Sequence, residues 1–160
     1  LIQGAACGGG FSLALASDIR IAATTAKMNA AFIRAGLTAC DMGCSYLLPR
    51  LVGLSVASEL MMTGKFINAE RALKVNLVSE VVSEQELANT AEQYIADMLA
   101  TSPMGLRLTK DGLNLSVDAP SLDAAMALED RQQALVASSA DAREAINAFL
   151  EKRTPSWKNQ

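Results

Sequence analysis

The sequence predicts an α/β layered fold that passes into a mainly helical region, and two observations carry that expectation. Residues 1–66 are rich in Gly and Ala and alternate short apolar runs with a glycine turn, whereas residues 67–160 carry apolar side chains at helical spacing. In the first part, Leu1-Ile2, Gly8-Gly9-Gly10, Phe11 to Ser17 and Ile19 to Ala23 give the order strand, turn, helix, strand. That order suits a fold in which a helix N-terminus sits beside the ends of buried strands. Because Leu1-Ile2-Gln3-Gly4 reads as a strand running straight into a turn, the chain is expected to begin inside a fold.

The elements of the second part follow from caps and stripes. Asn68 is placed to cap a short helix through Val75, after which Asn76 takes a left-handed position before a strand from Leu77 to Val82. Ser83-Glu84-Gln85-Glu86 has the form of a capping box, and behind it Leu87, Ala91, Tyr94, Ile95, Met98 and Leu99 recur at helical spacing up to Ser102-Pro103. A further helix is expected from about Leu122 to Val136. Asp141 with Glu144 repeats the capping pattern ahead of Ala142, Ala145, Ile146, Phe149 and Leu150. The two regions, 1–66 and 67–160, are the expected division of the chain.

Composition narrows the function. A chain of 160 residues that is 51% apolar can bury one ordinary core, with no room for a second full domain. The net charge of −3 comes from 14 basic and 17 acidic residues that are interspersed, so no basic stripe exists to follow nucleic acid. No apolar run approaches the roughly 18 residues of a membrane span, and no leader pattern opens the chain. A soluble protein of the cytoplasm, without membrane or nucleic-acid partner, is expected. Cys7, Cys40 and Cys44 are an odd set among small apolar neighbours and suit reduced thiols. The absence of histidine removes the usual general base and any Ser-His-Asp triad within the chain, and the thiols alone make no zinc site.

Gly8-Gly9-Gly10 lets the backbone approach a ligand closely at the start of a helix whose first N–H groups lack partners, a geometry suited to an oxyanion. The same glycines also suit tight packing of a helix on a sheet. Phe11-Ser12-Leu13 supplies neither the Gly-Lys-Ser/Thr of a phosphate loop nor the third glycine of a dinucleotide turn. Ser12 has no histidine to activate it as a hydrolase nucleophile.

Gln3 to Ala22, reading QGAACGGGFSLALASDIRIA, closely resembles the signature stretch of the crotonase superfamily, the enoyl-CoA hydratase/isomerase proteins. Tyr46 to Gly53, Met62-Thr63-Gly64-Lys65 with Ala69 and Ala72, Leu77 to Val82 and Ala148 to Arg153 extend the resemblance over almost the whole chain. It implies a spiral of ββα turns, incomplete at its N-terminus, followed by a helical trimerisation region. It also implies a homo-oligomer, trimer or hexamer, and an acyl-coenzyme A substrate. Coenzyme A then belongs to the substrate, and no separate cofactor and no metal are implied.

In that family two backbone N–H groups hold the thioester carbonyl and stabilise an enolate. By the resemblance one is Gly9, and the other comes from an N-terminal half of the fold that this chain lacks and would need as a partner. Cys7, Gly8, Gly9, Ser12 and Phe32 are the matching substrate-side positions, and Lys152, with Arg153, could meet the phosphates of coenzyme A or simply end a solvated helix. Family hydratases carry glutamates where this chain has Ser12 and Phe32, so two-glutamate hydration is not supported.

Asp41 falls where some isomerase and dehalogenase relatives keep a working aspartate. With Ala39, Cys40 and Met42 beside it, desolvation is expected to keep its proton affinity high enough for acid or base chemistry on an acyl-CoA. The competing role is a helix cap ahead of Met42 to Leu51. The implied activity is that of an enoyl-CoA hydratase/isomerase with Gly9 and Asp41 as catalytic groups. The alternatives are an acyl-CoA-binding or oligomer-forming pseudoenzyme, and an Asp-dependent thioester hydrolase.

Overall fold

Short parallel strands joined through helices build the first part of the chain in the computed structural model, which describes residues 1–159. β1 (Ala5–Cys7) runs into α1 (Gly9–Leu15), then β2 (Ile21–Ala23) and β3 (Lys27–Asn29), and a 3₁₀ turn at Ala31–Ala35 follows. β1 pairs parallel to β3, with Cys7 opposite Asn29, and β3 pairs antiparallel to β4 (Ile67–Asn68). β2 pairs parallel to β5 (Glu80–Val82) in a second sheet, and Ile2 bridges to Ala22. A parallel pair cannot be closed by a hairpin, so α1 and β2 serve as the crossover between β1 and β3.

α2 (Cys44–Thr63) is broken at Gly53, whose φ of 77° and ψ of 158° are not helical. The expected helix up to Leu51 is therefore its first segment, and a second continues to a left-handed Gly64. α3 (Ala69–Lys74) is capped by Asn68, which accepts the Arg71 N–H at 3.0 Å, and Asn76 has the left-handed φ of 61° expected of it. Arg71 also forms a bidentate pair with Glu59 of α2, at 2.8 and 2.6 Å. The expected strand from Leu77 shortens to β5, because Leu77 and Val78 are buried in the core rather than paired.

The core that holds these pieces contains Phe11, Met28, Leu48, Leu60, Ile67 and Leu77, all fully buried. Arg20 lies at its edge. Its guanidinium donates to the carbonyls of Leu77 at 2.7 Å, Leu15 and Ser17, which joins the end of α1 to the segment before β5. Burial holds its pKa below the ordinary arginine value, with Asp18 acting in opposition.

The chain divides into two compact units, Leu1–Glu92 and Gln93–Gln160, so β4, α3 and β5 belong to the first unit with the glycine-rich segment. The capping box of Ser83 and Glu86 opens a 3₁₀ turn that leads into α4 (Leu87–Leu99). In the second unit, α5 (Pro103–Ser116) was not foreseen: Ser102 caps it through the Gly105 N–H and Pro103 stands at its first turn, where a missing N–H costs nothing. α6 (Leu122–Ala137) agrees with expectation.

α7 (Ala140–Glu151) corrects a detail, since its cap is Ser139, which accepts the Ala142 N–H at 3.0 Å. Asp141 is instead buried and accepts the N–H groups of Lys158 at 2.7 Å and Asn159 at 2.9 Å. The tail folds back, and Glu144 accepts from Arg153 and from the Ser156 N–H at 2.8 Å. Those bonds hold the Glu144 carboxyl at about 2, against an ordinary 4.5.

Two predictions follow from these contacts. Gly64 has a φ of +60°, and a methyl group there would lie 2.7 Å from Ile33 Cγ2 and 2.8 Å from Arg34 Cγ. Gly64→Ala should thus cost more than the roughly 1–2 kcal/mol of a left-handed L-residue. Asn68→Ala, which loses only a cap, should cost about 1 kcal/mol; urea unfolding of the two variants checks the order. Because the folded pKa of Glu144 is depressed, its contribution is present above pH 4.5 and is lost as the pH falls through about 2. Protection of the Ser156 amide, taken relative to the intrinsic exchange rate at each pH, should fall over that window, and Glu144→Gln should show the lower protection already at neutral pH.

Candidate active site

The glycine turn is set by two peptide hydrogen bonds. At the end of β1 the Gly8 N–H donates to the Asn29 carbonyl at 3.0 Å, and the Gly8 carbonyl accepts the Ser12 N–H at 3.0 Å. Gly8 has φ 52° and ψ −118°, a conformation open to glycine alone among common residues. The Asn29 side chain, itself buried, donates to the Gly64 carbonyl at 3.1 Å, so the strand that holds Gly8 is also tied to the end of α2. α1 begins at Gly9, and the N–H groups of Gly9, Gly10 and Phe11 have no helical carbonyl behind them. Phe11 is buried in the core, Gly9 is half-buried and Gly10 is exposed, so Gly9 is the donor at the boundary between the core and the surface.

Two apolar side chains flank it. A methyl group on Gly8 would stand 3.3 Å from Cζ of Phe32, and one on Gly9 would stand 3.3 Å from the sulfur of Met42. Ser12 is buried on α1, and its hydroxyl donates to the main-chain carbonyl of Asp41 at 3.3 Å. The fold thus brings together Gly8, Gly9, Ser12, Phe32 and Asp41 from separate stretches of the chain. Cys7 is half-buried at the end of β1, next to Gly8. Met42 was not singled out from the sequence; Gly43 after it, and its φ of 48°, mark the sharp turn that aims it at Gly9.

Two expectations for Asp41 are corrected. α2 is capped by Gly43 in a left-handed conformation, and the Asp41 side chain makes no cap; its carbonyl accepts the Cys44 N–H at 2.9 Å instead. Asp41, Cys40 and Met42 are all exposed in this chain, and only Ala39 of the expected apolar neighbours is buried. The sequence suggested burial because the neighbours are apolar, but the backbone turns at Met42 and Gly43 and carries them outward. Cys44 is buried, which raises its pKa, and Cys40 adds to the rise.

Lys152 is exposed at the left-handed end of α7, in the second unit. Arg153 is already engaged by Glu144 and by Glu151, the latter at 2.6 Å, and its pKa is raised by those carboxylates. Lys152 is therefore the better placed of the two for an anion. Among the described residues, no group of three or more Cys, Asp or Glu side chains is arranged to hold a metal ion.

A helix opening on a glycine turn at the end of a short parallel strand marks an α/β protein, and comparison with known proteins gives its class. The chain belongs to the enoyl-CoA hydratase/isomerase family, whose model matches residues 1–160. It is 43% identical over 155 residues to a probable enoyl-CoA hydratase of Mycobacterium tuberculosis, covering 96% of this chain and 54% of that protein. It is 42% identical over 157 residues to the 1,2-epoxyphenylacetyl-CoA isomerase of Escherichia coli, covering 98% of this chain and 59% of that protein. The crystal structure of an enoyl-CoA hydratase from Bacillus anthracis superposes with a TM-score of 0.93 at 32% identity, over 98% of this chain and 60% of the other. The chain thus spans little more than half the length of the curated relatives it matches.

The glycines offer a direct check on this geometry. Gly8→Ala, at positive φ outside the left-handed helical region and against the Phe32 ring, should lower stability by more than the roughly 1–2 kcal/mol of a left-handed L-residue. Gly10→Ala, with nothing within 4 Å, should be neutral or stabilising by up to about 1 kcal/mol through helix propensity. Thermal unfolding of the two variants separates the positions.

Proposed function

We propose that this chain is the C-terminal part of an acyl-CoA-processing enzyme that stabilises a thioester enolate. The Gly9 N–H is one donor of its oxyanion hole, and Asp41 is the proton carrier. The observation that supports this most is the convergence of the half-buried Gly9 donor with the Asp41 segment, held to the same helix through Ser12. Asp41 takes a proton from carbon activated by the thioester, the electron pair moves onto the carbonyl oxygen facing Gly9, and return of the proton at another carbon completes an isomerisation. No co-reactant is consumed. Ser12 and Phe32 offer no carboxylate for water activation, which favours this proton transfer over two-glutamate hydration.

Cys7, Gly8, Ser12 and Phe32 form the acyl side of the proposed site, and Lys152 is assigned to the phosphates of a coenzyme A bound to a neighbouring subunit. The second oxyanion donor is assigned to the N-terminal half that the longer relatives carry. Loss of one such donor costs about 2.7–4 kcal/mol, a factor of about 100–1,000 in rate, so the chain by itself should be a weak catalyst. A homo-oligomer, trimer or hexamer, is proposed on the strength of exposed apolar residues in the second unit, among them Leu113 at 66%, Phe149 at 83% and Leu150 at 72%. No helix among the described residues is long and apolar enough to cross a membrane, and the proposed setting is the cytoplasm.

The test is Asp41→Asn in the chain assembled with the N-terminal segment of its longer relatives, assayed on a series of enoyl-CoA thioesters. Turnover should fall at least about 100-fold while thioester affinity, followed by calorimetry, changes little. Unchanged turnover would remove Asp41 from the mechanism. A trapped acyl-aspartate would identify a thioester hydrolase, and binding without any turnover by the parent chain would identify a pseudoenzyme.

A further inference from the structure

We infer that Ser12 is a positioning residue, whose buried hydroxyl holds the Asp41 segment by its main-chain carbonyl and thereby sets where Asp41 and Met42 stand relative to Gly9. The inference rests on the proposed role of Asp41 for its catalytic consequence, but the tether itself is a matter of geometry.

Ser12 is 2% exposed, and a serine inside a helix ordinarily returns its hydroxyl to a carbonyl of the preceding turn. Here the hydroxyl crosses 29 residues to the Asp41 carbonyl. The segment it reaches is anchored at its two ends, by Ala39 and Cys44 in the core, and is exposed between them. Cys40, Asp41, Met42 and Gly43 are all exposed, and Met42 and Gly43 have φ of 48° and 81°, a conformation that a methionine adopts only under constraint. Its other hydrogen bonds among the described residues are local: the Cys40 N–H to Thr38 Oγ1 at 3.1 Å, the Cys44 N–H to the Asp41 carbonyl at 2.9 Å, and the Tyr46 and Leu47 N–H groups to the Gly43 carbonyl at 3.0 and 2.9 Å.

The Ser12 bond therefore ties this segment to α1, the helix that carries Gly9 as its first residue. Its acceptor is a peptide carbonyl, so the Asp41 carboxylate is left free for chemistry while its Cα is fixed. The next residue, Met42, is then held with its sulfur against Gly9, where a methyl group would find it at 3.3 Å. One buried hydroxyl thus indexes the Asp41 main chain and the Met42 thioether to the helix that starts at Gly9.

Hydrogen exchange followed by mass spectrometry on the chain tests the tether. Ser12→Ala should raise exchange in residues 38–44 roughly five- to tenfold, the factor a single hydrogen bond is worth. Exchange in β2 and β3 should stay within about twofold, and Ser12→Thr, which keeps the hydroxyl, should restore the slow rate. Unchanged exchange in residues 38–44, or uniform acceleration through the first unit, overturns the tether.

In the chain assembled with the N-terminal segment of its relatives, Ser12→Ala should lower kcat about tenfold, a larger change than in KM, and Ser12→Thr should recover kcat. An unchanged kcat in Ser12→Ala, where Asp41→Asn abolishes turnover, overturns the positioning role. If exchange responds to Ser12→Ala but Asp41→Asn leaves turnover intact, the tether stands and the proton-carrier reading of Asp41 falls.

Discussion

The bond from the Gly8 N–H to the Asn29 carbonyl is the constraint on which the candidate site depends. It joins the end of β1 to β3 at the point where the chain must leave the sheet and start a helix within one residue. Only a residue without a side chain can do so at φ 52° with the Phe32 ring so close, and once Gly8 is fixed, the first free N–H of α1 belongs to Gly9. Asn29 spends its side chain on Gly64 as well, so the glycine turn, the sheet and the end of α2 share one buried polar residue. Phe11 and Leu15 then drive α1 into the core, which leaves the helix no freedom to rotate Gly9 away.

The surroundings of Gly9 are apolar on two sides, and α1 carries no carboxylate. A phenyl ring and a thioether flank the donor, and the buried hydroxyl of Ser12 is turned toward the backbone of another segment. Asp41 is carried on a neighbouring turn that two left-handed residues make sharp.

The second unit obeys simpler rules. Serines cap α5, α6 and α7 in turn, each through the N–H three residues on. The tail is then secured to α7 by carboxylates: Asp141 receives Lys158 and Asn159, and Glu144 receives Arg153 and Ser156. Since Arg153 is consumed in that closure, Lys152 is left as the exposed cation at the helix end, which is why an anion-binding role is assigned to it rather than to its neighbour.

Much of this protein was legible in local chemistry. The Asn68 cap, the left-handed Asn76, the Ser83–Glu86 capping box, the extent of α6 and the helix opened by the glycine turn depend on residues a few positions apart, and a hydrogen bond between near neighbours leaves its trace in spacing. The family, too, was carried by a contiguous stretch from Gln3 to Ala22. Tertiary structure decided what spacing cannot encode. The tie from Ser12 to Asp41, the placing of Met42 against Gly9 and the use of Asp141 to hold the tail all join groups that meet only after the chain has folded. Exposure of Asp41 was decided in the same way: apolar neighbours in sequence predict burial, but the direction of a side chain is set by the turn beneath it and by what the core has already taken.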